Sequence, residues 1–130
     1  MNNNLINSYA ALQQGEALVP FQFDAGELLP HQVEIQVEYC GLCHSDLSVI
    51  DNEWNNAVYP VVSGHEVIGT IARLGAEAKG LQIGQRVGLG WTAESCQYCD
   101  SCVAGQPVLC TGGSTATIVG HAGGFADKVR

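Results

Sequence analysis

The clearest alternation in the chain is "QVEIQVEY" at 32–39. Val33, Ile35, Val37 and Tyr39 fall on one side, and Gln32, Glu34, Gln36 and Glu38 on the other. A period of two is that of a strand with one face in the core and one in water. "HEVIGTIARLG" at 65–75 is rich in β-branched residues and carries Gly69 inside, which predicts a second strand with a bulge or bend at that glycine. "QRVGLGW" (85–91) predicts a short strand after the turn at Gly84, and "GGFADKVR" (123–130) another that starts as the 130 residues run out. Between the first two strands, "HSDLSVID" (44–51) suits one or two helical turns with Ser45 as N-cap. Short strands, sixteen glycines spread as single turn positions and little helix predict a mainly β domain, a barrel-like sheet with long loops. A strand beginning at the last residues leads us to expect a domain cut from something longer.

Composition narrows the chemistry. Thirteen Asp and Glu against five scattered Lys and Arg give a net charge of -8. No basic stripe for nucleic acid can be built from that set, and the acidity serves solubility. No run of roughly 18 apolar residues is present for a membrane span. The start "MNNNLINSYAALQQ" has neither the basic nor the apolar region of a signal peptide, so the expected compartment is the cytoplasm. Six cysteines in such a setting point to metal or redox chemistry rather than a disulfide framework.

Four of the six lie in "CQYCDSCVAGQPVLC" (96–110), spaced C-x2-C-x2-C-x7-C. Close-set thiolates suit a tetrahedral zinc with every position filled, and Cys96, Cys99, Cys102 and Cys110 are the candidate ligands. An iron–sulfur run starts the same way but continues with x3 and Cys-Pro, whereas here Thr111 follows the fourth cysteine. Disulfides or free thiols are the remaining alternatives. The polar loop between these cysteines has no core of its own, so a metal would supply most of its folding free energy, roughly 10–16 kcal/mol in small zinc peptides. A closed four-thiolate site offers substrate no position. It argues for stability.

A second constellation is "YCGLCHSDL" (39–47), with Cys40, Cys43, His44 and Asp46, followed about twenty residues on by His65 and Glu66 in "GHE". On spacing alone Cys40 and Cys43 form a C-x2-C pair, either a redox dithiol or two metal ligands. Each residue singly is more often a buried thiol or a satisfied histidine.

With "CGLCHSDL", "GHEVIGTIARLGAEA" and the four-cysteine run in this order, the chain resembles the zinc-dependent alcohol dehydrogenases of the medium-chain dehydrogenase/reductase family. Gly64, His65, Glu66, Gly69 and Gly75 fit the family's G-H-E-x2-G-x5-G signature. "YCGLCHSDL", "YPVVSGHEVIG" and "HAGGFADKV" look most like its cinnamyl-alcohol-dehydrogenase-like branch. The resemblance implies the N-terminal GroES-like catalytic domain, a partly open β-barrel with short helices, over residues 1–130, with a structural zinc lobe at 91–113. It implies Cys43 and His65 as two ligands of a catalytic zinc whose third comes from later in the chain. Glu66 would be a carboxylate beside the ion, and Asp46 the partner of the histidine ligand. Ser45 would be the hydroxyl that takes the alcohol proton, and His44 a group near the pyrophosphate of NAD or NADP. Cys40 matches no ligand, which sets the C-x2-C reading aside. Trp54 falls where the substrate pocket is walled, though packing explains it equally well.

Two departures stand out. Relatives often carry histidine three residues beyond the relay hydroxyl, where this chain has Ser48. No G-x-G-x-x-G follows a strand, so the dinucleotide-binding Rossmann domain lies outside these residues. The isolated chain is therefore expected to be inactive, and to self-associate or form homo-oligomers through the apolar surface that would meet that domain. Its small-molecule substrate would be an alcohol or aldehyde. The alternatives are a free-standing structural zinc module without catalysis, and an iron–sulfur or dithiol redox protein.

Overall fold

The computed structural model describes residues 4–130, and eight strands dominate them. A hairpin of β1 (Leu5–Ala10) and β2 (Val19–Asp24) comes first. A four-stranded antiparallel sheet follows in the order β5-β4-β3-β8, built from β3 (Val33–Cys40), β4 (Val67–Leu74), β5 (Arg86–Leu89) and β8 (Lys128–Val129). A second hairpin pairs β6 (Thr92–Ser95) with β7 (Ser114–Ala116). Helix is confined to α1 (His44–Ile50), α2 (Asp100–Val103) and one 3-10 turn at Pro107–Leu109. β1 docks on the segment before β8: the Tyr9 N–H donates to the Phe125 carbonyl at 2.9 Å, and the Asp127 N–H to the Asn7 carbonyl at 2.8 Å. The first hairpin thereby closes one edge of the larger sheet, giving the partly open barrel that the sequence predicts.

Strand β3 departs from simple alternation. Two register shifts, at Glu34/Ile35 and between Val37 and Tyr39, break its pairing with β4. The first leaves Ala72 of β4 unpaired and the second Glu38 of β3, so strict alternation no longer sets which face each residue takes. Glu34, read as solvent-facing, is 1% exposed, and Tyr39, read as core, is 68% exposed. Gly69 lies opposite Val37, at the edge of the second shift, as its place inside the strand predicts. A Cβ there would stand 2.2 Å from the backbone oxygen of Gln36, so only glycine lets the two strands approach.

The buried Glu34 is matched by cations. Arg130 Nε donates to its carboxylate at 2.8 Å, and Arg73 Nη1 lies 3.6 Å from the same oxygen. Arg130 also donates to the carbonyls of Ala25 and Gly26, tying the turn after β2 to the end of the sheet. Two apolar clusters fill the interior. Ile35, Val67 and Val129 sit against the sheet; Ala11, Val49, Ile50, Val61 and Ile118 pack α1 beneath the loops. Each fully buried Val or Ile contributes about 1.5–3 kcal/mol. Val49 and Ile50 therefore anchor α1 firmly, and α1 carries the residues of interest.

Candidate metal centres

The cysteine loop is carried between β6 and β7. The Sγ atoms of Cys96, Cys99, Cys102 and Cys110 all lie within 4.8 Å of one another. Cys96 Sγ and Cys102 Sγ are 3.9 Å apart, near the edge of about 3.8 Å for a tetrahedron with Zn–S bonds of about 2.3 Å. Backbone groups prepare the sulfurs: the Cys96 N–H donates to Cys110 Sγ at 3.4 Å and the Cys99 N–H to Cys96 Sγ at 3.3 Å. The Thr111 and then the Cys102 backbone N–H lower the Cys99 thiol to about 5. The Cys96 N–H lowers Cys110, while burial pushes Cys102 up to about 11. Cys99 and Cys110, held toward thiolate, are in the form that binds a soft divalent ion. Neither α2 nor the 3-10 turn buries a residue, so the loop has no core of its own.

The second group forms at the start of α1. Cys43, not Ser45, is the N-cap, with extended backbone at φ -124°, ψ 152°. Asp46, at the third helical position, reaches back to accept the Cys43 N–H at 3.0 Å, which fixes the helix start two residues earlier. Ser45 is thereby left half-buried inside the first turn, next to the exposed His44.

Asp46 is 4% exposed, and its carboxylate organises the site. One oxygen takes the Cys43 N–H; the other takes the Gly64 N–H at 2.8 Å and faces His65 Nδ1 at 3.1 Å. With two backbone donors already on it, this carboxylate assigns His65 Nδ1 as a donor and leaves the Nε2 lone pair free for an ion. Gly64 reaches this pose at φ +98°, where a Cβ would also strike the Phe125 backbone nitrogen at 2.7 Å. One carboxylate thus sets both Cys43 and His65.

The outcome brings Cys43, His65 and Glu66 within 4.8 Å of one another through one ligand atom each. A thiolate, an imidazole and an exposed carboxylate can hold a divalent metal while leaving room for another ligand. Cys40 lies outside this group: its thiol contacts the Gly41 carbonyl at 3.7 Å, and burial raises it above the ordinary thiol range. Ser48 is buried in the inner face of α1, so it presents no hydroxyl to solvent. Trp54 packs edge-on against Trp91 at 5.9 Å, and Trp91 packs edge-on against His65 at 5.2 Å. Trp91 was not singled out as a site residue by the sequence, because its place follows from long-range packing that no local pattern reports.

Among the described residues no helix is long and apolar enough to cross a membrane. Comparison with known proteins agrees with the geometry. The family model described as the alcohol dehydrogenase GroES-like domain matches residues 29–130. An aldehyde reductase of Synechocystis is 50% identical over 126 residues, 97% of this chain and 37% of the relative. A cinnamyl alcohol dehydrogenase structure from Sorghum bicolor is 37% identical with a TM-score of 0.84, over 96% of this chain and 38% of that one. The structure of CAD from Helicobacter pylori, complexed with NADP(H), is 30% identical with a TM-score of 0.88 and the same coverage. The chain spans a little over a third of the length of these relatives. It belongs to the alcohol dehydrogenase GroES-like domain family, the N-terminal catalytic-domain type of the medium-chain zinc dehydrogenases.

Proposed function

We propose that residues 1–130 are the zinc-binding catalytic domain of an oxidoreductase that interconverts alcohols and aldehydes or ketones with NAD or NADP. The observation that carries this is the convergence of Cys43, His65 and Glu66, with Asp46 holding the first two. The donor set fits zinc at both centres. Cys96, Cys99, Cys102 and Cys110 would hold the structural ion of the lobe at 91–113. Cys43 and His65 would hold the catalytic one, completed by a ligand from outside these residues. When bound, the catalytic zinc supplies a Lewis acid for the substrate oxygen, and the nicotinamide supplies or takes the hydride.

The chain's own residues do the rest. Asp46 fixes the His65 tautomer and raises its basicity. Ser45 Oγ accepts the proton leaving the alcohol hydroxyl and passes it outward, with no part for the buried Ser48. Glu66 would supply a carboxylate beside the ion, and exposed His44 would lie near the cofactor pyrophosphate. Trp54 helps wall the substrate side. The 130 residues alone do not turn over, and they self-associate through uncovered apolar surface.

Metal content and a chimera test this. The purified chain should hold one zinc tightly and a second in part, the second lost in His65→Ala. Replacing the matching 126 residues of the Synechocystis aldehyde reductase with this chain should give an active NAD(P)-dependent enzyme that Ser45→Ala slows. Zinc at the lobe alone, with an inactive chimera, makes the chain a structural module instead. Iron with visible absorbance overturns the zinc assignment.

A further inference from the structure

Asp46 grips His65 through one ring nitrogen, and one hydrogen bond does not fix a ring whose terminal torsion is broad. The second restraint is Trp91, whose ring meets the imidazole edge-on at 5.2 Å and 87°. Behind it stands Trp54 at 5.9 Å and 74°.

Trp91 is in turn placed by its backbone. The Thr117 N–H donates to the Trp91 carbonyl at 2.8 Å, and Thr117 Oγ1 lies 2.7 Å from the Gly90 carbonyl and 3.1 Å from that of Trp91. Thr117 is fully buried. Trp91 directly precedes β6, and Thr117 directly follows β7. The same two strands carry the cysteine loop at their other end, where Cys96 follows Ser95 and Cys110 Sγ reaches the Gly113 carbonyl at 3.3 Å. The β6–β7 hairpin is therefore a lever, with the four thiols at one end and Trp91 at the other. Because the loop buries nothing of its own, an ion on the sulfurs would add the tie that fixes that end of the hairpin beyond the Ser95–Ser114 pairing.

We propose that Trp91 is a positioning residue that makes the pose of His65 depend on the metal state of the cysteine lobe. The inference rests on the zinc reading above and adds a dependence of the open site on the closed one. The hairpin's two ends are held by different groups, and the Thr117 hydroxyl's bond to the Gly90 and Trp91 carbonyls can be cut without touching a sulfur while the backbone bond stays.

Trp54 and Trp91 are the only tryptophans in the 130 residues, so intrinsic emission reports this pair. The chain carrying Cys43→Ser, which leaves the lobe as the zinc site, is compared with the same chain carrying Cys102→Ser as well. Zinc content, far-UV circular dichroism, tryptophan emission and the 1H–15N resonances of the His65 ring are recorded for each. Emptying the lobe should shift the emission to the red and move the His65 resonances. Thr117→Val should retain the lobe zinc yet show the emission of the emptied chain, which separates loss of the lever from loss of the fold. In the otherwise unaltered chain, Trp91→Ala should weaken Co2+ binding at Cys43 and His65 about tenfold, in the range for groups that orient a ligand, and Trp91→Phe should restore it. Emission and His65 resonances identical with the lobe full and empty would overturn the coupling and leave the proposed function standing, as would a Thr117→Val chain indistinguishable from its parent. A lobe that binds no zinc at all removes the zinc reading and this inference together.

Discussion

At the scale of single residues, the decisive groups are two buried carboxylates with different tasks. Asp46 spends its oxygens on the Cys43 and Gly64 backbone and on the His65 ring, so it presets a metal site. Glu34 binds no candidate ligand. It neutralises Arg130, whose side chain is 7% exposed, and thereby ties β3 to the chain's last strand and to the turn after β2. Removing one member of such a pair strands the other in a low dielectric, which costs about 3–5 kcal/mol. The Arg86–Glu38 pair at 3.1 Å is similar in length but exposed, and pairs of that kind are worth about 0–1 kcal/mol. Urea unfolding should therefore show a large loss of stability in Glu34→Ala and almost none in Glu38→Ala. Equal losses would mean that the Glu34 carboxylate is not the counter-charge of Arg130.

At the scale of elements, the glycine pattern and the cysteine spacing were legible in the sequence, while the register was not. Gly69 inside a β-branched run announced a bulge or bend, and the structure has a register shift beside it together with a close approach to the Gln36 backbone oxygen. The alternation of 32–39 announced a strand but assigned Glu34 and Tyr39 to the wrong faces, because two register shifts, one with its extra residue in β4 and one in β3, break the regular pairing. The first hairpin went unread: Ile6, Ser8 and Ala10 alternate inward in β1, but one of the three is a serine, satisfied by the Phe21 carbonyl at 2.9 Å. The helix start was displaced from Ser45 to Cys43 by a side chain three residues downstream, an arrangement that a search for N-cap residue types misses. The convergence of 43 with 65 and 66 rests on the resemblance in the sequence and on pairing of β3 with β4 in the structure. Gly69 offers a direct check. Gly69→Ala places a methyl 2.2 Å from fixed backbone, whereas Gly88→Ala in β5 meets its nearest atom at 3.4 Å. The first should cost at least the roughly 1–3 kcal/mol typical of overpacking and the second much less, read as the shift in thermal midpoint.

At the scale of the whole molecule, charge and apolar surface oppose each other. A shallow cleft of about 380 Å3 is lined by Tyr9, Leu18, Tyr39, Leu42 and Phe125. Leu42 at its rim is 84% exposed, and with exposed Tyr9 and Tyr39 along the same cleft it forms an apolar patch of the kind that marks an interaction surface. The chain spans 37% of the Synechocystis relative, and among the described residues nothing covers that cleft. A second copy is the available cover. Bringing two copies together means bringing together two charges of -8, and at physiological ionic strength the Debye length of about 8 Å leaves that repulsion felt across a close contact. Salt screens the repulsion without weakening apolar burial, so association should strengthen as sodium chloride rises, the reverse of an ion-paired interface. Sedimentation velocity across a range of concentration and salt should show this, and Leu42→Asp should return the chain to monomer at every salt concentration. Association that weakens with salt, or that survives Leu42→Asp, would place the contact elsewhere on the surface.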